Sequence, residues 1–275
     1  MDIPIDGGRL HYTDAGTGET LILLHGFPLD GRSWQTQAAE LSRSYRVICP
    51  DLRGSGGSSV TPGPYLMESL AGDIFDLLDA LHIERAAFAA PSIGSYVQAA
   101  FFRMYSERVS GFALIAGNTF ADTEKILAGR GPLADRAERE GMQPVIDAYL
   151  SRYYAPLFYT ERPDLIDEGR RWMSEQSAVG AAAQIRGMAE RVSADDLLED
   201  IRVPSLVLAP SDDSWIPVAH LRAVADQLAD CEFLEVPACG HMPMREHPAI
   251  VTAALTRLMA RVSAGAPQSS TDPPR

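Results

Sequence analysis

Ala86-Ala87-Phe88-Ala89-Ala90-Pro91-Ser92-Ile93-Gly94-Ser95 is the stretch that decides how this chain folds. Ala86 to Ala90 has the length and apolar character of a short buried strand. It breaks into a turn of small residues, and Tyr96-Val97-Gln98-Ala99-Ala100-Phe101-Phe102 continues as a helix. A serine at such a turn sits on strained backbone with its hydroxyl directed away from the sheet, which is the geometry an attacking oxygen needs. The usual pattern is Gly-x-Ser-x-Gly, and here Ala90 takes the first glycine's place. Further along come Pro210-Ser211-Asp212-Asp213 and then Cys239-Gly240-His241, each just after a predicted strand. A serine, an acid and a histidine in that chain order form a recognised nucleophilic constellation.

Outward from this turn, the flanking segments alternate between strand and helix. Residues 3–13 hold two strand-like runs around Asp6-Gly7-Gly8, a hairpin signal. Leu21–Leu24 and Tyr45–Cys49 read as strands buried on both faces, ending at His25-Gly26-Phe27-Pro28 and Pro50-Asp51. Leu70, Ile74, Leu77, Leu78 and Leu81 fall at helical spacing, and Gly111–Ala116 reads as another strand. The class this predicts is α/β, a mostly parallel central sheet with helices on both faces.

The alternation stops near Asn118. From there to about Asp200 the patterns are helical, with Tyr149, Tyr153, Tyr154, Phe158, Tyr159 and Trp172 among them. Strand and helix alternate again from Pro204, and the last helix is expected over about Pro248–Met259. The reading is therefore a core formed by 1–117 and 201–262, with a helical cap, 118–200, inserted over the sheet. The tail 263–275, rich in Ser, Pro and Gly, is expected to be disordered. The aromatic residues of the cap suit either packing of the helical layer or the lining of an apolar pocket.

The 275 residues suffice for one large domain with an insertion, and the net charge of −13 argues against nucleic acid as a partner. Cys49, Cys231 and Cys239 are odd in number and lack CxxC spacing, which favours reduced thiols over a disulfide framework or zinc. The first residues are acidic, without the apolar run of a signal peptide, and no apolar run is long enough to span a membrane. Together these point to a cytoplasmic protein. The glycine-rich loop at 53–58 has neither Gly-x-Gly-x-x-Gly nor Gly-Lys-Ser/Thr spacing, so no nucleotide or other cofactor is expected. Nor is a metal, since no ligand set such as HExxH is present.

Taken together, His25-Gly26-Phe27-Pro28, Asp51-Leu52-Arg53-Gly54-Ser55-Gly56-Gly57-Ser58, the Ser92 turn, Asp213 followed by Pro217, and Gly240-His241 resemble the α/β-hydrolase family over roughly residues 10 to 260. His25 to Asp30 with Trp34 looks most like its enol-lactonase and small carboxylesterase branches. The resemblance implies Ser92 as nucleophile, His241 as general base and later acid, and Asp213 as the group that orients the imidazole. It also implies an oxyanion hole from the backbone N–H groups of Phe27 and Ile93. The family's acid-to-proline spacing, matched here by Asp213 and Pro217, favours Asp213 over Asp212. His247 is expected at the surface, His25 as a tie between loops, and Asp51 with Arg53 as a loop brace. Trp215 and Ile216 are candidates to reach the cleft.

The implied activity is hydrolysis of a small ester or lactone through an acyl-enzyme, with no cofactor. C–C bond cleavage or perhydrolysis on the same residues is the alternative, as is a slow-turnover ligand sensor that signals to a partner. Four departures bear on turnover: Ala90, Pro91 (which removes an N–H and fixes φ), Ser95 where another glycine or alanine is frequent, and Pro210 where the acid turn usually has glycine.

Overall fold

The structure is a computed structural model that describes residues 1–265. Eight strands form one sheet: β1 (Asp2–Ile5), β2 (Gly8–Ala15), β3 (Thr20–Leu23), β4 (Arg46–Pro50), β5 (Ala86–Pro91), β6 (Val109–Ile115), β7 (Ser205–Pro210) and β8 (Cys231–Val236). Their spatial order is β1-β2-β4-β3-β5-β6-β7-β8. The pairs β1–β2 and β2–β4 are antiparallel, and every later pair is parallel. The Asp6-Gly7-Gly8 hairpin is present, with Gly7 at φ 72° in the turn.

All residues of β3, β5 and β7 are buried, so both faces of the sheet are covered, as their unbroken apolar runs require. The covering helices of the core are α1 (Gln35–Leu41), α2 (Met67–Ala80), α3 (Ile93–Tyr105), α9 (Val218–Ala225) and α11 (Pro248–Gly265). Helix α1 packs with α11 and α2 with α3. A four-residue helix, α10 (Pro243–Glu246), lies between β8 and α11.

Between β6 and β7 the chain forms α4 (Glu124–Glu140), α5 (Gln143–Tyr149), α6 (Phe158–Glu161), α7 (Pro163–Ser174) and α8 (Ala178–Ala189), with no strand. Their apolar side chains, among them Val145, Ile146, Trp172 and Met173, belong to the same continuous core as the sheet. Helix α11 runs past Met259 to Gly265, so 263–265 is helix and not the start of a tail. Leu255, Leu258, Met259 and Val262 continue the buried stripe and carry the helix on. The rest of the expected tail, 266–275, lies outside the described residues.

Both prolines that depart from the family's usual turns sit where no hydrogen bond is lost. Pairing of β3 with β5 stops at Leu23–Ala89, two residues before Pro91. Pairing of β6 with β7 stops at Ile115–Leu208, two residues before Pro210. On their other sides Pro91 still pairs with Ile115 and Pro210 with Val236, where the bonds come from the next amides, Ser92 N–H to Ala116 O and Ser211 N–H to Val236 O.

Candidate active site

The carboxyl ends of the parallel strands carry the polar side chains, as expected for an open α/β sheet. Ser92, between β5 and α3, has φ 48° and ψ −125°. A positive φ is costly for a residue with a Cβ, of the order of 1–3 kcal/mol, and persists only where the surroundings enforce it. Here the strand and helix are pressed together: a Cβ on Gly94 would lie 2.8 Å from the His25 carbonyl oxygen. The Ser92 N–H donates to Ala116 O at 3.4 Å, tying the turn to the end of β6.

Asp213 and His241 meet across the ends of β7 and β8. His241 Nδ1 lies 2.7 Å from Asp213 Oδ2, with side chains 4% and 0% exposed. An ionised carboxylate only accepts, so Nδ1 carries the proton and Nε2 is left as the basic nitrogen. The other Asp213 oxygen, Oδ1, accepts from Trp215 N–H at 2.8 Å and Ile216 N–H at 3.3 Å, which fixes the carboxylate. Asp212 is exposed, and its Oδ1 accepts only from the Ser211 hydroxyl at 3.0 Å. The imidazole is sandwiched, with Tyr153 stacked at 5.8 Å and Trp215 edge-on at 4.7 Å.

Ser92 and His241 line one cleft of about 580 Å³, together with Phe27, Tyr149, Trp215 and Ile216. This is within the usual range for a small-molecule site, about 300–1,000 Å³. Among the described residues, neither the Phe27 nor the Ile93 N–H donates to a protein acceptor. Ile93 is the first residue of α3, where no intrahelical acceptor exists.

His25 is fully buried. Its Nε2 accepts from Leu52 N–H at 2.9 Å, which places the ring proton on Nδ1, 3.0 Å from Gly26 O. The ring thus ties the loop after β3 to the loop after β4. Asp51 braces the same region, Oδ1 accepting from Gly31 N–H and Oδ2 from Gly57 N–H, both at 2.8 Å. Arg53 does not join it: its guanidinium pairs with Asp73 of α2 at 2.5 Å, because Asp51 is already held by backbone donors. The glycine-rich loop is held from outside as well, Gly56 N–H donating to Gln176 Oε1, just after α7, at 2.9 Å.

The aromatic residues beyond Asn118 divide between both expected roles. Tyr149 lines the cleft, edge-on to Phe27 at 5.1 Å, and Tyr153 covers His241, whereas Trp172 is buried with Arg245 over its ring at 4.3 Å. His247 is half-buried, with Nε2 3.1 Å from Ala238 O. Among the described residues no cluster of His, Cys, Asp or Glu is placed to hold a metal ion, and no helix is long and apolar enough to cross a membrane.

Glu246 is the residue the sequence reading missed. It is buried, and its carboxylate accepts from Gly240 N–H at 2.9 Å and Met242 N–H at 3.2 Å, the amides on either side of His241. It also accepts from Ala155 N–H, in the segment between α5 and α6, at 2.8 Å. A single carboxylate therefore joins the histidine loop to the helical insertion. Burial pushes its carboxyl up, against the pull of these amides. Its sequence context, between Arg245 and His247, reads as a charged surface turn and gives no signal of this role.

Comparison with known proteins gives the family. The α/β-hydrolase fold family matches residues 19–248. The chain is 28% identical over 254 residues to 3-oxoadipate enol-lactonase 2 of Acinetobacter baylyi, covering 92% of this chain and 93% of that one. A solved thermophilic esterase from Thermogutta terrifontis superposes with a TM-score of 0.91 at 34% identity, over 93% of this chain and 94% of that chain. The enol-lactonase of Burkholderia xenovorans LB400 superposes with a TM-score of 0.87 at 25% identity, over 94% of this chain and all of that one. With the matched family spanning most of its length and an esterase fold laid over nearly every described element, this chain belongs to the α/β-hydrolase family and is a hydrolase.

Proposed function

We propose that the protein is a cofactor-independent serine hydrolase that cleaves a small carboxylic ester or lactone through an acyl-enzyme. Ser92 is the nucleophile. His241 Nε2 takes the hydroxyl proton as the C–O bond forms, then returns it to the leaving alcohol. Asp213 holds the tautomer that makes this possible and stabilises the imidazolium. The N–H groups of Phe27 and Ile93 receive the oxyanion, where losing one such donor typically raises the barrier by about 3–4 kcal/mol. A water activated by the same imidazole then releases the acid.

The observation that carries this reading is the buried 2.7 Å contact between His241 and Asp213, in a cleft shared with a serine at positive φ. The names of similar proteins support the same chemistry: an enol-lactonase in Acinetobacter baylyi and an esterase in Thermogutta terrifontis. Residues 118–200 serve as the lid of this cleft, through Tyr149 and Tyr153.

The test is a hydrolysis screen of short nitrophenyl esters and several lactones, with Ser92→Ala as control. We expect multiple turnovers by the native chain and a loss of at least about a thousandfold in the variant. Since Ser92 occupies a turn and not packed core, its thermal unfolding should change little. A variant that keeps more than a few per cent of the rate would reject the assignment.

A further inference from the structure

Asp122, just before α4, is claimed by two guanidinium groups. Arg130 of α4 donates through Nε to Oδ2, and Arg191, just after α8, donates through Nη2 to Oδ1 at 2.5 Å. All three side chains are at least nine-tenths buried. One carboxylate cannot neutralise two guanidinium groups, so the cluster carries one uncompensated positive charge where little water reaches. Such a charge is costly unless an anion joins it.

The two arginines are not equivalent. Arg191 is fixed: Nη1 donates to Phe120 O at 2.9 Å, and the guanidinium lies 4.1 Å from the centre of the Tyr96 ring. Beyond Asp122, Arg130 meets Met188 Sδ, a weak acceptor, at 3.5 Å from Nη1, with the Tyr149 hydroxyl beside it in the cleft. Among the described residues no protein acceptor meets its Nη2. Arg130 lines the cleft that holds Ser92 and His241, and Arg191 does not.

The rest of the cleft has the same sign. Lys125, the only lysine in the chain, and Arg152 line it too, against Asp122 as the one carboxylate in the lining. Asp213 is engaged with His241. A chain of net charge −13 thus presents a positive catalytic cleft. A low-dielectric cleft of one sign concentrates ligands of the other.

We propose that Arg130 recognises a carboxylate carried by the substrate, so that the ester or lactone cleaved here bears an acid group away from the scissile bond. The inference rests on Ser92 being the nucleophile. A planar guanidinium edge suits a carboxylate, and a single excess charge matches a monoanion better than a dianionic phosphate. Asp122 and Arg191 act behind Arg130, holding its Nε so that the remaining donors face the cleft.

The experiment compares kcat/KM for two matched pairs, each differing in a free against a methyl-capped carboxylate: mono-4-nitrophenyl glutarate against its methyl-capped diester, and 4-butyryloxybenzoate against its methyl ester. The first pair places the charge on the acyl side, the second on the alcohol side. We expect the native enzyme to favour the charged member of at least one pair by about ten- to a hundredfold, the scale of a hydrogen bond to a charged group. The preference should shrink as salt is raised. Arg130→Gln should lower kcat/KM for that charged ester about tenfold more than for its neutral partner, and Arg130→Lys should restore part of the ratio. A purely structural role for Arg130 would move both members of a pair equally. Should Arg130→Gln fail to fold, glutarate as a competitive inhibitor of the native enzyme decides: salt-sensitive inhibition supports the proposal, and none overturns it. Neutral esters preferred in both pairs, or a ratio unchanged by Arg130→Gln, would also overturn it. If Ser92-dependent cleavage is absent altogether, the parent reading has failed; if it is present without charge preference, only this inference has.

Discussion

Asp212 and Asp213 show how far single residues were legible. Their adjacency left both open from the residues alone, and only the resemblance, through the family's acid-to-proline spacing to Pro217, favoured Asp213. The structure puts Asp213 against the imidazole and leaves Asp212 in solvent, because the turn after β7 directs successive side chains apart. Asp213→Asn should therefore lower kcat by about a thousandfold or more, since an amide can present its NH2 to Nδ1 and favour the wrong tautomer. Asp212→Asn should change kcat by less than about threefold, as expected for an exposed polar change. Steady-state kinetics of the two variants on one ester decides, and the reverse order would refute the assignment. Pro91 looked disruptive in the sequence for a reason that was local. Only the register of β3 against β5 reveals that no ladder N–H is missing there.

At the scale of elements, the strands were readable because parallel strands buried on both faces are unbroken apolar runs. What sequence periodicity could not supply was the way loops hold one another. Glu246 is the clearest case, since nothing local says that its carboxylate will meet amides at 155, 240 and 242. Glu246→Ala strands three buried N–H groups, each costing about 1–3 kcal/mol. We expect a loss of about 3 kcal/mol or more by denaturant unfolding, with a fall in kcat because His241 loses its support. A variant as stable and active as the native chain would contradict this. Asp30 plays a related part, linking Arg32 to Gln176 of the helical insertion through Oδ2 at 2.7 and 2.8 Å. Burial opposes its charge, but Arg32, His25 and Gln176 outweigh that and hold the carboxyl below its usual value. Its contribution is then complete above about pH 4, the ordinary aspartate value, and is lost as pH falls through the depressed one. The stability gap between the native chain and Asp30→Asn should be flat near neutrality and close on acidification. A gap that widens in acid would contradict the sign.

On the scale of the whole molecule, the sequence separated a sheet region from a helical region but not how they share a core. The aromatic run from Tyr149 to Trp172 gave no means of telling which rings face the cleft, because that depends on where α5 lies over Phe27. Side chains of α5, α7 and α8 join the sheet in one apolar core, so the two regions should unfold together. Trp34 reports on the core, Trp172 on the insertion and Trp215 on the cleft. Tryptophan fluorescence and far-UV circular dichroism should give coincident denaturant transitions. Two separated transitions would show that the insertion is an independent unit.

The proposed chemistry requires a covalent bond to Ser92. Rapid acid quench during turnover of a nitrophenyl ester, followed by peptide mass spectrometry, measures it directly. The expected result is an acyl adduct confined to Ser92 and absent from Ser92→Ala. Sustained turnover with the acyl group on another residue, or undiminished turnover in Ser92→Ala, would contradict it.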